Sequence, residues 1–300
     1  MIIVLGEILV DLFDNYQRIG GAPFNFAFHL QQLGFSVRFL TRIGDDPQGR
    51  EIGKLLSRHH FDLDDVQVDE VHPTGTVRVV LDDHGVPRFD IREDVAYDYI
   101  DFEALTPIHG PDTRMIYFGT LAQRSDLAFE RFDRLLSRKG PSTTAFCDLN
   151  LRPPHVRDDV IAASLDCADI LKLNTDELHH VGVLSGGPSQ EEALIAHLMR
   201  THQIEMVILT RGSSGSTLFT ESQRFDASPP PTGNVLDTVG AGDAFASVMA
   251  AGYLSSMPLD RALTAASYFA GQICQLPGAI PDAPSIYARL RKKMEGFMHD

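Results

Sequence analysis

The residues best placed to do chemistry lie near the C-terminal end, in Asp237-Thr238-Val239-Gly240-Ala241-Gly242-Asp243-Ala244-Phe245. Two glycines and an alanine allow a tight backbone turn, and Ala244, Phe245, Val248, Met249 and Ala251 continue it as a helix. The N–H groups of residues 240–243 can then point at one spot, where the helix dipole adds about half a positive charge. Such a site suits a phosphoryl group, whose charge spreads in the transition state. Asp243, in the first helical turn, can accept a hydroxyl proton while Gly240, Ala241 and Gly242 hold the phosphate. Spacing alone leaves a plainer reading open, because Gly-x-Gly before a helix arises by chance and a helix-start Asp is often only a cap. Two other nucleotide motifs are excluded. Phe245 stands where a dinucleotide fingerprint needs its third glycine, and Gly49-Arg50-Glu51-Ile52-Gly53-Lys54 has the wrong spacing for a Walker A loop.

A second constellation lies at the other end of the chain, in Ile19-Gly20-Gly21-Ala22-Pro23-Phe24-Asn25-Phe26-Ala27. Paired glycines let backbone approach a ligand closely, and Asn25 offers a donor and an acceptor to hydroxyls. Asp11, just after the first predicted strand, can take two sugar hydroxyls; taken alone it reads more readily as a solvated loop acid.

Together these segments resemble the ribokinase-like family of sugar kinases. That family's signatures are a Gly-Gly pair followed by Asn and Ala, and Asp-Thr-x-Gly-Ala-Gly-Asp-x-Phe; both are met, and the similarity runs across essentially all 300 residues. The resemblance implies a three-layer α/β/α sandwich with a mostly parallel central sheet and a small β-sheet lid. It further implies a single kinase domain over 1–300, its lid built from segments near 11–21 and 74–98. By resemblance, Asp243 is the base and Gly240, Ala241 and Gly242 form the anion hole, while Asp11, Gly20, Gly21 and Asn25 bind the sugar. Asn174 and Glu177 match an Asn-x-x-Glu motif that positions Mg²⁺ through water. Thr210, Gly212, Gly215 and Ser267 match the nucleotide site, and Asp237 falls where several members hold a monovalent cation such as K⁺. ATP and a small sugar are the implied ligands, and a homodimer is within the family's range. Gly21-Ala22-Pro23 and Asp148-x-Asn150-x-Arg152 look like fructokinase-like members, the latter also like 2-keto-3-deoxygluconate kinases. Arg92 matches a lid arginine that reaches toward substrate in those subgroups. Fructose is therefore the expected acceptor. A sugar acid, another sugar or a nucleoside is the alternative within the fold, and a silent binding protein the alternative outside catalysis.

The pattern that must position these residues alternates β-branched runs with amphipathic helices. It predicts strands over 2–5, 38–43, 115–119, 144–150, 170–174 and 206–210. Helices are predicted over 24–33, 49–60, 127–138, 189–202, 240–254, 259–275 and 285–297. Residues 76–81 and 86–92 flank Asp82-Asp83-His84-Gly85 and read as a hairpin outside the parallel sheet, with Phe89 and Ile91 on one side and Arg88, Asp90 and Arg92 on the other.

Composition bounds the partners. Acidic residues outnumber basic ones 41 to 26, a formal charge of −15, which argues against nucleic acid and anionic membrane surfaces. Three cysteines without CxxC spacing argue against a disulfide framework or a zinc cluster, and the pairs His59-His60 and His179-His180 lack metal-site context. Met1-Ile2-Ile3-Val4-Leu5 has no basic leader before it, and no apolar run approaches a membrane span, so a cytoplasmic protein is expected.

Overall fold

The computed structural model describes residues 1–81, 87–105, 110, 112–229, 235–281 and 284–299. β1 (Ile2–Leu5) is buried at every position, as a strand with both faces covered must be. It pairs in parallel with β4 (Val37–Gly44) on one side and β8 (Met115–Phe118) on the other. The parallel run continues from β8 through β9 (Thr144–Asp148) and β10 (Ile170–Asn174) to β11 (Met206–Thr210), and from β4 to β5 (Val66–Asp69). β12 (Ser216–Thr220) and β13 (Arg224–Ala227) close one edge antiparallel, giving nine strands in one sheet.

Alternation along each strand divides the core in two. Ile2 and Val4 join one apolar cluster; Ile3 and Leu5 join the other. The first cluster includes residues of α1 (Ala22–Gln32), α2 (Pro47–Arg58), α7 (Ala241–Leu254), α8 (Leu259–Ile273) and α9 (Ser285–His299). The second includes residues of α3 (Asp126–Leu136), α4 (Asp158–Cys167), α5 (Thr175–Ser185) and α6 (Glu191–His202). The result is the expected three layers.

The lid is a separate four-stranded sheet in the order β3 (Gln17–Gly20), β2 (Leu9–Leu12), β6 (Thr76–Leu81), β7 (Pro87–Ile91). β6 and β7 pair antiparallel as the hairpin reading requires, while its turn, Asp82 to Gly85, lies outside the described residues. Asp11 pairs with Arg18 across β2–β3 and with Val77 of β6.

Several elements differ from the sequence expectation. α4, α5, β5, β12 and β13 were not signalled by periodicity; β13 is a short edge strand made regular by its neighbour, and β12 is a short strand between it and β11. α1 starts at Ala22 because Pro23, with no N–H to satisfy, suits a first helical turn. Phe24, Phe26 and Phe28 of α1 are all fully buried, and Phe26 stacks on Tyr117 of β8 at 3.7 Å between ring centres. Their bulk fills the gap between helix and sheet.

Candidate active site

The carboxyl ends of β1, β9, β10 and β11, the start of α7 and the inner face of the lid surround one cavity of about 410 Å³. Clefts at this end of a parallel sheet are where open α/β folds bind ligands. Asp11, Gly20, Gly21, Asn25, Arg152, Asn174, Glu177, Thr210, Asp237, Gly240, Gly242 and Asp243 all line it. Residues separated by more than two hundred positions are thereby brought together.

Asn25 Nδ2 donates to Asp243 Oδ2 at 2.7 Å. The side chain expected to meet sugar hydroxyls thus spends one donor on aiming the candidate base. Burial pushes the Asp243 carboxyl up to about 6; the Asn25 hydrogen bond opposes that rise, Asp148 adds to it, and Lys172 and Arg152 oppose it. Gly240 is the N-cap of α7 with φ of 76°, and no side chain caps the helix. A Cβ at Gly240 would come within 2.2 Å of Ala279 Cβ, so only glycine closes this turn. The Ala241 N–H turns back to Thr238 O at 3.3 Å, and Ala241 does not line the cavity. The cavity wall at the helix start is therefore Gly240, Gly242 and Asp243.

Gly21 caps α1 with φ of 115°, and a Cβ there would meet Glu7 O at 2.6 Å. A Cβ at Gly20 would stand 2.9 Å from Asp11 Oδ2. Both glycines let the lid strand and α1 approach the residues after β1. Burial raises the Asp11 carboxyl to about 6 against the pull of Arg152 and Arg18.

Asn174 and Glu177 form a reciprocal capping box at the start of α5. Glu177 Oε2 accepts from the Asn174 N–H at 2.8 Å and Oε1 from the Leu151 N–H at 2.9 Å. Burial raises the Glu177 carboxyl while Lys172 opposes the rise. Each oxygen keeps a lone pair, and Glu177 faces the cavity. Among the described residues no group of three or more His, Cys, Asp or Glu could hold a bare metal ion. This donor set fits a magnesium ion that keeps its waters and arrives with phosphates.

Besides Ala241, four of the expected positions, Arg92, Gly212, Gly215 and Ser267, do not line the cavity. Ile91, the last residue of β7, does line it; Arg92 is the next residue along, so it turns away and is exposed. Gly212 and Gly215 shape the β11–β12 turn, where a Cβ at Gly215 would meet Ala227 O at 2.4 Å. Ser267 is buried between α8 and β12, its Oγ 3.3 Å from Ser216 Oγ.

Other lining residues were not singled out by spacing. Lys172 Nζ lies 2.8 and 2.9 Å from the two oxygens of Asp148, both residues buried, and 3.6 Å from where a Cβ on Gly242 would stand. A lysine in the otherwise apolar run Ile170-Leu171-Lys172-Leu173 was the available signal. Glu7 is buried beside the same cavity, and its carboxyl is raised to about 7, chiefly by burial. Arg18 enters from the lid and pairs with Asp237 at 3.2 Å.

Comparison with known proteins gives the chain its family. Residues 6–286 match the pattern of the pfkB family carbohydrate kinases. The chain belongs to that family. Among pfkB relatives, the fructokinase of Salmonella typhimurium is 28% identical over 282 residues, covering 90% of each chain. The 5-dehydro-2-deoxygluconokinase of Listeria monocytogenes is 29% identical over 257 residues, covering 82% of this chain and 77% of that one. A fructokinase from Xylella fastidiosa with bound ATP superposes with a TM-score of 0.83 at 21% identity, over 98% of both chains. As a pfkB kinase the protein is a sugar kinase with a ribokinase-like fold, and no helix among the described residues is long and apolar enough to cross a membrane.

Proposed function

We propose that this kinase transfers the γ-phosphoryl group of ATP to a hydroxyl of a neutral sugar, with fructose as the acceptor. The observation that carries the reading is the 2.7 Å bond from Asn25 to Asp243, which holds the carboxylate at the start of α7 toward the glycine-lined sugar side. The sugar sits against Asp11, Gly20 and Gly21, where a carboxylate and close backbone suit hydroxyl groups. Asp243 takes the hydroxyl proton, the sugar oxygen forms a bond to the γ-phosphorus, and the bond to the bridging oxygen breaks with its electron pair leaving on ADP. The start of α7 and the Lys172 ammonium face the developing charge. Glu177 and Asn174 would hold Mg²⁺ through water, and the ion supplies charge neutralisation at the phosphates.

A neutral acceptor is favoured over a sugar acid on the lid side of the cavity, where Arg92 turns outward and Arg18 is paired with Asp237; Arg152, outside the lid, also lines the cavity. The fructokinase relatives support the same choice.

The test is ADP release with MgATP against ketoses, aldoses, sugar acids and nucleosides. Fructose should give the highest kcat/KM, and Asp243→Asn should lower kcat by about 10³-fold with little change in ATP affinity. Preference for a sugar acid or a nucleoside would replace the acceptor, and near-normal turnover by Asp243→Asn would remove Asp243 from its role.

A further inference from the structure

Asp237 is held from three directions. Its Oδ1 accepts from the Val239 N–H at 3.0 Å; its Oδ2 accepts from the Gly278 N–H at 3.0 Å and from Arg18 Nη1 at 3.2 Å. This donor set does not fit the monovalent cation that the family resemblance places at Asp237. A cation on Oδ2 would stand beside a guanidinium, and like charges a few ångströms apart repel.

Arg18 is itself aimed. Its guanidinium carbon lies 4.9 Å from the centre of the Tyr16 ring and 5.9 Å from that of Phe13. Gly278, at φ of 81°, packs beside it: a Cβ there would be in ordinary contact with Arg18 Cδ and Nη1, at 3.4 Å. The carboxylate thus joins three pieces of backbone, namely the lid strand β3, the Val239–Gly240 turn and the Gly278–Ala279 turn. The last two already touch, since Ala279 packs against Gly240. With side-chain exposures of 35% and 23%, the ion pair adds little to stability, so its effect is on position.

We infer that Arg18 supplies the fixed positive charge at Asp237 and is a positioning residue for phosphoryl transfer, so that this chain turns over without an added monovalent cation. The charge is carried by the lid, which couples the placement of β3 over the sugar side to the turn that leads into the anion-binding helix start. The inference rests on the sugar-kinase reading of the same cavity.

The experiment compares wild type, Arg18→Met and Arg18→Lys, each in potassium chloride and in tetramethylammonium chloride at equal ionic strength. Wild-type kcat should change less than twofold between the salts. Arg18→Met should lose about tenfold in kcat without potassium, the worth of one charge-assisted hydrogen bond, and regain part of it when potassium is added. Arg18→Lys should keep the indifference to salt. Melting curves of the enzyme without sugar or nucleotide provide a readout independent of turnover: potassium should raise the melting temperature of Arg18→Met and leave that of wild type unchanged. Strong potassium activation of wild type, or an Arg18→Met enzyme equal to wild type in both salts, overturns the inference. Should Arg18→Met fail to fold, the wild-type and Arg18→Lys arms still decide it. Absence of turnover with every sugar would instead count against the proposed function, while the melting curves continue to report on Arg18.

Discussion

The role proposed for Asp243 depends on its immediate surroundings. A helix-start aspartate is ordinarily ionised well below neutral pH, but here burial raises it to about 6. A base works in its ionised form, so kcat/KM for the free enzyme should fall as the pH drops through about 6. The Asn25 amide favours the ionised form through its bond to Oδ2. Asn25→Ala should therefore move that acidic limb to higher pH as well as lower the plateau. A pH–rate profile of both enzymes checks this, and an unmoved limb would show that Asn25 does not tune the base. Glu177 shows the complementary case, in which a helix-capping acid also lines the cavity. Its oxygens satisfy two backbone N–H groups and still present lone pairs to the cavity.

At the scale of elements, β9 and β10 carry an ion pair through the middle of an apolar sheet. Lys172 and Asp148 are both buried, and Tyr117 of β8 adds a hydrogen bond to Asp148 Oδ2 at 3.3 Å. Removing one partner of a buried pair leaves an uncompensated charge, so Lys172→Met should cost about 3–5 kcal/mol of stability. The double variant Lys172→Met with Asp148→Asn should recover most of that loss. If activity stays low in the recovered variant, the pair is retained for its charge beside Gly242 and not for the fold; urea denaturation and kcat together separate the two. The legibility of the elements follows the same logic. Central strands such as β1 and β10 read directly from their apolar runs, because burial on both faces demands them. β13 did not, since an edge strand obtains its regularity from its neighbour, and β12, Ser216-Thr217-Leu218-Phe219-Thr220, has no continuous apolar run. α4 was equally silent: Asp158 and Asp159 open it, and its apolar face becomes clear only against the sheet that it covers.

For the molecule as a whole, a charge of −15 coexists with a site for a polyanion. The groups at the cavity that can meet a polyanion are the backbone amides and helix dipole at the start of α7, with Lys172 and Arg152 among the lining side chains. The lid contributes the rest of the enclosure and belongs to a separate sheet, so its response to ligand can be read apart from that of the main sheet. Fructose with MgADP should slow amide hydrogen exchange in β2, β3, β6 and β7 while leaving β8 and β9 little changed. Equal protection across both sheets would argue for global stabilisation in place of lid closure.

The local motifs, read in one dimension, determined the chemistry on offer. Asp237 to Phe245 specified a turn, a helix start and a base, and Gly20-Gly21 with Asn25 specified a close approach to hydroxyls, because small residues and a carboxylate act within a few positions of one another. The alternation of apolar strands and helices likewise determined the layered fold. Only the tertiary structure decided which of those groups meet. It placed Asn25 on Asp243, set Lys172 and Asp148 beneath the helix start, turned Arg92 outward and brought Arg18 onto Asp237. Contacts between residues hundreds of positions apart depend on strand register and on the face each strand presents, and neither is a property of any short stretch of sequence.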